Sequence, residues 1–168
     1  MSRARGVDYF PMPRTYVHSD HAFHLYLEDG LQIVTWTTQP TVSDEAFERH
    51  LSELCGWYEQ GESLDAALTC STTFTPTSKQ RAIIRAYEAR IPKTLKAVAA
   101  LSNSAMVRGA MTAISWFAPF RYELKAFASR DHQRAFGWLK ACGGRFDEGR
   151  ALANLLAANQ LLNNSPLG

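Results

Sequence analysis

The segment STTFTPTS, residues 71–78, places six hydroxyl side chains in eight positions, and Lys79 and Arg81 follow directly. Hydroxyls and cations ahead of a helix are the parts of an anion site, because the first amides of a helix lack acceptors and carry partial positive charge. The same residue types also serve a local purpose. Ser and Thr oxygens cap helix amides, and Thr75 with Pro76 sets a turn. That local reading outweighs one in which Ser71, Thr75, Thr77, Lys79 and Arg81 hold phosphate or another anion.

A second junction, SNSAMVRG at 102–109, repeats the theme. Ser102, Asn103 and Ser104 suit a cap, and Gly109 costs a helix about 1 kcal/mol against alanine, which close packing or ligand approach would offset. Arg108, Thr112 and Trp116 follow at i, i+4 and i+8, the spacing of an anion-and-aromatic strip. An arginine paired with a carboxylate and a tryptophan under a loop explain them as well, and this reading is preferred.

Other chemistry finds little support. His21 and His24 point to opposite sides of a strand and cannot share a metal, while His18, Asp20 and His24 share a face only if the strand starts early. Cys70 has no adjacent base, and a buried strand thiol is inert. No Gly-rich phosphate loop, H-E-x-x-H or G-x-S-x-G occurs in the chain. The expectation is a non-enzyme without metal or cofactor.

The elements that position these residues are legible from periodicity. In HAFHLYLEDGLQIVTWT, two alternating apolar runs flank Asp29 and Gly30, which predicts antiparallel strands near 21–28 and 31–38. Ser43, Asp44 and Glu45 open a helix whose stripe is Phe47, Leu51, Leu54, Cys55 and Tyr58, with Val42 stapled onto Phe47 and Gly61 at the end. LDAALTC is a buried strand, and a helix from Ser78 carries Ile83, Ile84, Tyr87 and Ile91 up to Pro92. A strand through Val98, a helix through Met111, a strand through Leu124, a helix through Trp138 and a last helix follow. The last helix should present Leu152, Leu155, Leu156, Asn159 and Leu162, joined through a flexible Gly143-Gly144. Phe47, Leu51, Ile84, Val98, Met111 and Phe127 are the expected core.

Bulk properties fit this picture. The 168 residues are 46% hydrophobic and 20% charged, with a net charge of +2 that does not by itself imply nucleic acid. Cys55, Cys70 and Cys142 form an odd set without CxxC spacing, which predicts buried thiols in a reducing cytoplasm. No run reaches the length of a membrane span, and the start has no apolar h-region, so residues 1–19 read as an irregular arm. Charge is lopsided: residues 42–65 hold seven acidic and one basic residue, and residues 79–108 hold seven basic and one acidic.

An antiparallel first strand followed by alternating strands and helices resembles the STAS domain, the fold of anti-sigma-factor antagonists and sulphate-transporter tails. Over residues 20–142, Arg108-Gly109 in a helix, Phe127-Ala128 closing a strand and Trp138-Leu139 closing a helix are similar to small stand-alone bacterial SpoIIAA-like proteins, also described as STAS/SEC14-like. The resemblance implies an α/β fold with a mixed sheet, an antiparallel first strand and flanking helices, to which 143–168 add an extra C-terminal helix and tail. It also implies a regulatory or scaffolding domain that binds an unidentified protein partner. Trp57, Trp116 and the C-terminal helix are the contact surfaces that the residues themselves suggest, the helix being expected to dock on its own domain, with homodimerisation as the alternative. Nucleic acid and integral membrane association are not implied. The alternative function is a SEC14-like small-molecule or lipid-binding module, with a pocket near the carboxyl ends of the parallel strands, between 70–77 and 102–108. The Asp-Ser-Ser-Gly phosphorylation motif of antagonists is absent from the corresponding loop.

Overall fold

In the computed structural model, which describes residues 14–36, 42–70, 76–117 and 121–164, Asp29 and Gly30 form the expected hairpin turn. Gly30 takes φ +84, and a Cβ there would collide with the Arg145 carbonyl oxygen, so both the turn and the neighbouring chain demand glycine. The hairpin joins β2 (Phe23–Glu28) to β3 (Gly30–Trp36), and β1 (Thr15–Ser19) pairs antiparallel with β2 on the outer edge. This corrects the reading of residues 15–19 as irregular arm. Tyr16 and His18 face the protein and pack on Trp57 and Phe23, while Thr15, Val17 and Ser19 are exposed. A strand covered on one face only has too few apolar residues to announce itself.

From β3 onward the sheet is parallel, through β4 (Leu64–Cys70), β5 (Ala97–Leu101) and β6 (Glu123–Phe127), and the six strands lie in sequence order. Helices α1 (Asp44–Glu59), α2 (Ser78–Tyr87) and α3 (Ala105–Phe117) connect them. When each parallel strand is added beside the last, right-handed crossovers put every connecting helix on the same face. The opposite face is covered by α4 (His132–Ala141) and α5 (Glu148–Asn164), which complete a three-layer α/β arrangement. No described helix is long and apolar enough to cross a membrane.

The two faces pack differently. On the α4–α5 face, Leu31, Ile33, Leu68, Phe136, Leu139 and Leu155 are buried together. On the other, Phe23, Leu25, Leu27, Val34 and Trp36 meet Phe47, Leu51 and Leu54 of α1. There α1 starts as expected, with the Ser43 hydroxyl accepting from Ala46 N, and stops at Gly61, whose φ is +94. Of the expected core, Phe47, Leu51 and Phe127 are buried, whereas Ile84, Val98 and Met111 are only half-buried. The α2 helix buries no apolar side chain; its only buried residue is Gln80. It also ends at Tyr87 and not at Ile91: the chain continues as a turn through Arg90, whose N–H donates to Tyr87 O, before Pro92.

The C-terminal segment is strapped to the sheet. Gly143 has φ +98 and donates to Lys140 O while Gly144 donates to Leu139 O, a Schellman cap on α4. A Cβ at Gly144 would come within 3.0 Å of Ala66, so the glycine pair is a tight corner and not the expected flexible joint. Beyond it, Arg145 Nε donates to Asp65 Oδ2 at 2.9 Å and Arg150 Nε donates to Glu28 Oε1 at 2.8 Å. Both carboxylates are buried in the sheet.

Helix α5 then presents Ala151, Leu155 and Ala158 to the sheet, with Leu152 half-buried and Leu156 and Leu161 exposed. The leucine stripe expected from sequence is therefore rotated toward the alanines, which let the helix approach closely; the Leu162 side chain lies outside the described residues. Leu155→Ala should destabilise the protein by about 2–4 kcal/mol in urea unfolding, whereas Leu156→Ala should stay within about 0.5 kcal/mol of the parent.

Candidate functional site

The half-buried residues of the α1–α3 face surround a cavity of about 190 Å³. Its floor is the sheet: Val34 and Trp36 from β3, Leu64, Ala67 and Thr69 from β4, Val98, Ala100 and Leu101 from β5. Its roof is Phe47, His50, Leu51 and Leu54 of α1, Ile84 of α2, and Val107 and Met111 of α3. The space exists because the floor is small-chained. Ala67 and Ala100 leave a gap that α2, with no buried apolar side chain, does not fill. Close-packed interiors keep few spaces larger than water, so a partly open hollow of this size among apolar side chains leaves dispersion contacts of its wall unmade.

The wall is mostly apolar, with Gln32, His50 and Ser102 as its buried polar residues. Gln32 Nε2 lies 2.8 Å from His50 Nε2. With the amide donating, the imidazole proton sits on Nδ1, which has no hydrogen-bond partner among the described residues. Burial pulls the His50 pKa down to about 3, so the ring offers one uncompensated N–H and no charge. His50 escaped the sequence reading, although it sits within the apolar stripe of α1 between Phe47 and Leu51, where a polar residue needs a reason.

The sequence-derived candidates divide around this cavity. Ser71 and Thr75 lie outside the described residues, as does the side chain of Trp116. Thr77 caps α2 in a reciprocal box: its hydroxyl accepts from Gln80 N while its own N–H donates to Gln80 Oε1. Lys79 pairs with Asp44 at 2.8 Å, and Arg81 Nη1 donates to Pro76 O. These groups are spent on structure.

Ser102 is buried, lines the cavity and accepts from Ser104 N, and Arg108 Nη1 donates to the Ser102 carbonyl at 2.7 Å. Asn103 and Thr112 are exposed, with the Thr112 hydroxyl donating to Arg108 O. The arginine thus has a carbonyl partner where a carboxylate was expected.

Trp57, expected as an exposed contact, is 8% exposed and lies beneath Tyr16. The β1–β2 strand start brings His18 within 3.3 Å of Asp20, which also takes Arg49, but His24 turns to the other face. No group of three or more His, Cys, Asp or Glu among the described residues is arranged to hold a metal. Cys70 is a buried thiol whose pKa is pushed up to about 12 by burial, which keeps it protonated and a poor nucleophile at neutral pH. Cys142 is only half-buried, contrary to expectation.

No family model matches the chain, and no curated protein or solved structure matches it either.

Two outcomes test the site. A histidine kept neutral by burial withholds a proton that the unfolded chain binds, so its contribution to stability is complete above its ordinary pKa near 6.5 and is lost as pH falls toward about 3. Stability should therefore decline by roughly 3 kcal/mol between pH 6.5 and 4 through this group, and His50→Gln should remove that part of the slope in urea titrations at each pH. Thr77→Ala should cost about 1 kcal/mol as a lost cap without altering occupancy of the cavity, measured by the same unfolding and by ligand titration.

Proposed function

We propose that the protein is a small-molecule-binding module that takes up an apolar ligand between the sheet and helices α1–α3. The observation that carries this reading is the apolar cavity, roofed by α2, a helix that buries no apolar side chain of its own. An apolar cavity of about 150 Å³ in another protein stays dry and binds benzene, and about 190 Å³ accommodates a somewhat larger group, on the order of eight carbon atoms. Burial of such a ligand replaces the lost dispersion contacts of the wall and offsets the penalty of the void.

The SEC14-like side of the sequence resemblance points to the same class of function. The cavity reaches the proposed place at the strand carboxyl ends through Pro76, Ser102 and Val107, but it continues to Leu95 and Tyr122 at their amino ends. A second reading, protein–protein interaction of the STAS type, draws on Leu156 and Leu161, which are 49% and 54% exposed on the outer side of α5.

The test uses a residue of the floor. Ala100→Leu should fill part of the cavity, raise stability by about 0.5–2 kcal/mol and abolish uptake of 1-octanol, followed through the fluorescence of Trp36 with Trp36→Phe as the silent control. If Ala100→Leu destabilises the protein and the parent shows no saturable response to 1-octanol, the cavity is not a binding site. Saturable binding that survives Ala100→Leu would move the site elsewhere.

A further inference from the structure

One end of the cavity is electrostatically distinct. Ile84, Ile91, Leu95 and Tyr122 line the cavity and also line a second recess, of about 100 Å³, between the C-terminal end of α2 and the segments that precede β5 and β6. The rim of that recess carries Arg85, Lys93 and Arg121 against the single carboxylate of Glu88. Arg85 and Arg121 come from different parts of the chain, one on α2 and the other just before β6, and both line this recess. All three cations are exposed, and none forms an ion pair with a described residue. Elsewhere the arginines and lysines of this face are committed: Lys79 to Asp44, Arg81 to Pro76 O, Arg90 to Glu59 and Arg108 to Ser102 O.

Resting on the cavity reading above, we propose that the ligand is an anionic amphiphile. Its apolar chain lies beneath α2 and its carboxylate sits in the recess formed by Arg85, Lys93 and Arg121. Three other placements of the negative charge fail on the same geometry. Mid-cavity, His50 is held neutral and gives no compensating charge, so a buried anion there would be unpaired. At the Pro76 and Ser102 end, the nearby cations already have partners. On the α5 face, Glu28 and Asp65 occupy Arg150 and Arg145. At the rim, exposed cations meet the head group while it keeps part of its hydration, and the chain alone is desolvated. Tyr122 marks the boundary: burial raises its phenol pKa, Glu88 adds to the rise and Arg121 opposes it, so the ring stands between apolar wall and charged rim. The four residues shared by the two spaces are all half-buried, and Ile84 and Leu95 pack against the α1-side core, so one apolar wall serves both spaces.

The experiment compares octanoate with 1-octanol, two probes of equal chain length that differ in charge, by isothermal titration of the full chain and of Arg85→Gln/Arg121→Gln. Both substituted positions are exposed, and unfolding midpoints check that the double variant is folded. The inference expects octanoate to bind the parent more tightly than 1-octanol. The double variant should weaken octanoate about fivefold while leaving 1-octanol unchanged, since each exposed cation contributes modestly. Added salt should weaken octanoate alone. Equal affinities for the two probes, or an octanoate affinity indifferent to the double substitution, would overturn the head-group assignment and leave the cavity as a site for neutral apolar ligands. Failure of both probes to bind would overturn the cavity reading itself, and the inference with it.

Discussion

The alanines of the two central strands set the character of both faces of the sheet. Ala66, Ala97 and Ala99 point one way, and the space above them is filled by Phe136 and Leu139 of α4 and by the alanine-faced helix α5. Ala67 and Ala100 point the other way, and nothing of comparable bulk descends onto them. Identical side chains thus close one face and open the other. The difference lies in the covering helices: α4 brings aromatic and leucine side chains down onto the sheet, while α2 buries only a glutamine, which it uses to close its own cap and to donate to Val42 O. Close packing on one side gives the scaffold its rigidity, and that rigidity allows the other side to remain incompletely filled.

The C-terminal segment belongs to the same logic. A sheet built by repeated right-handed crossovers in one direction leaves its second face bare, and α4 and α5 must cover it. Two sheet carboxylates, Glu28 and Asp65, are buried at that face and are neutralised from outside by Arg150 and Arg145. Removing Arg150 would strand the buried charge of Glu28, a stronger penalty than the pair itself is a gain, whereas Asp65 would keep Lys96 Nζ at 3.6 Å. The strap is therefore positioned by charge and held by the fit of Ala151, Leu155 and Ala158.

Much of the architecture was legible because it has local causes. Asp29 and Gly30 announced the hairpin, Ser43 with Asp44 and Glu45 announced α1, and single helices between apolar runs announced a parallel sheet. The edge strand β1 was hidden because only Tyr16 and His18 face inward, too short an alternation to separate from an arm. The α5 stripe was misread because leucines attract attention, whereas closeness to a sheet selects alanines. The hydroxyl and arginine candidates at 77–81 and 102–112 were chosen for their chemical type, and their partners lie in capping and carbonyl contacts that only the folded chain reveals. The cavity left no motif at all: it arises from small floor residues on two strands and a withheld helix far away in sequence, and Ile84, Val98 and Met111 looked like ordinary core. Only His50, polar within an apolar stripe, gave a local hint.

The central claim is that the α1–α3 face is a ligand site and the α4–α5 face is solid core, and methyl-resolved NMR reads both faces in one sample. Titration of methyl-labelled protein with octanoate should shift Leu54, Ile84, Leu95, Val98 and Val107 in a saturable way, while Leu31, Leu139 and Leu155 on the opposite face stay within their unliganded positions. Shifts spread over both faces, or confined to exposed methyls such as Val17 and Leu156, would contradict the account.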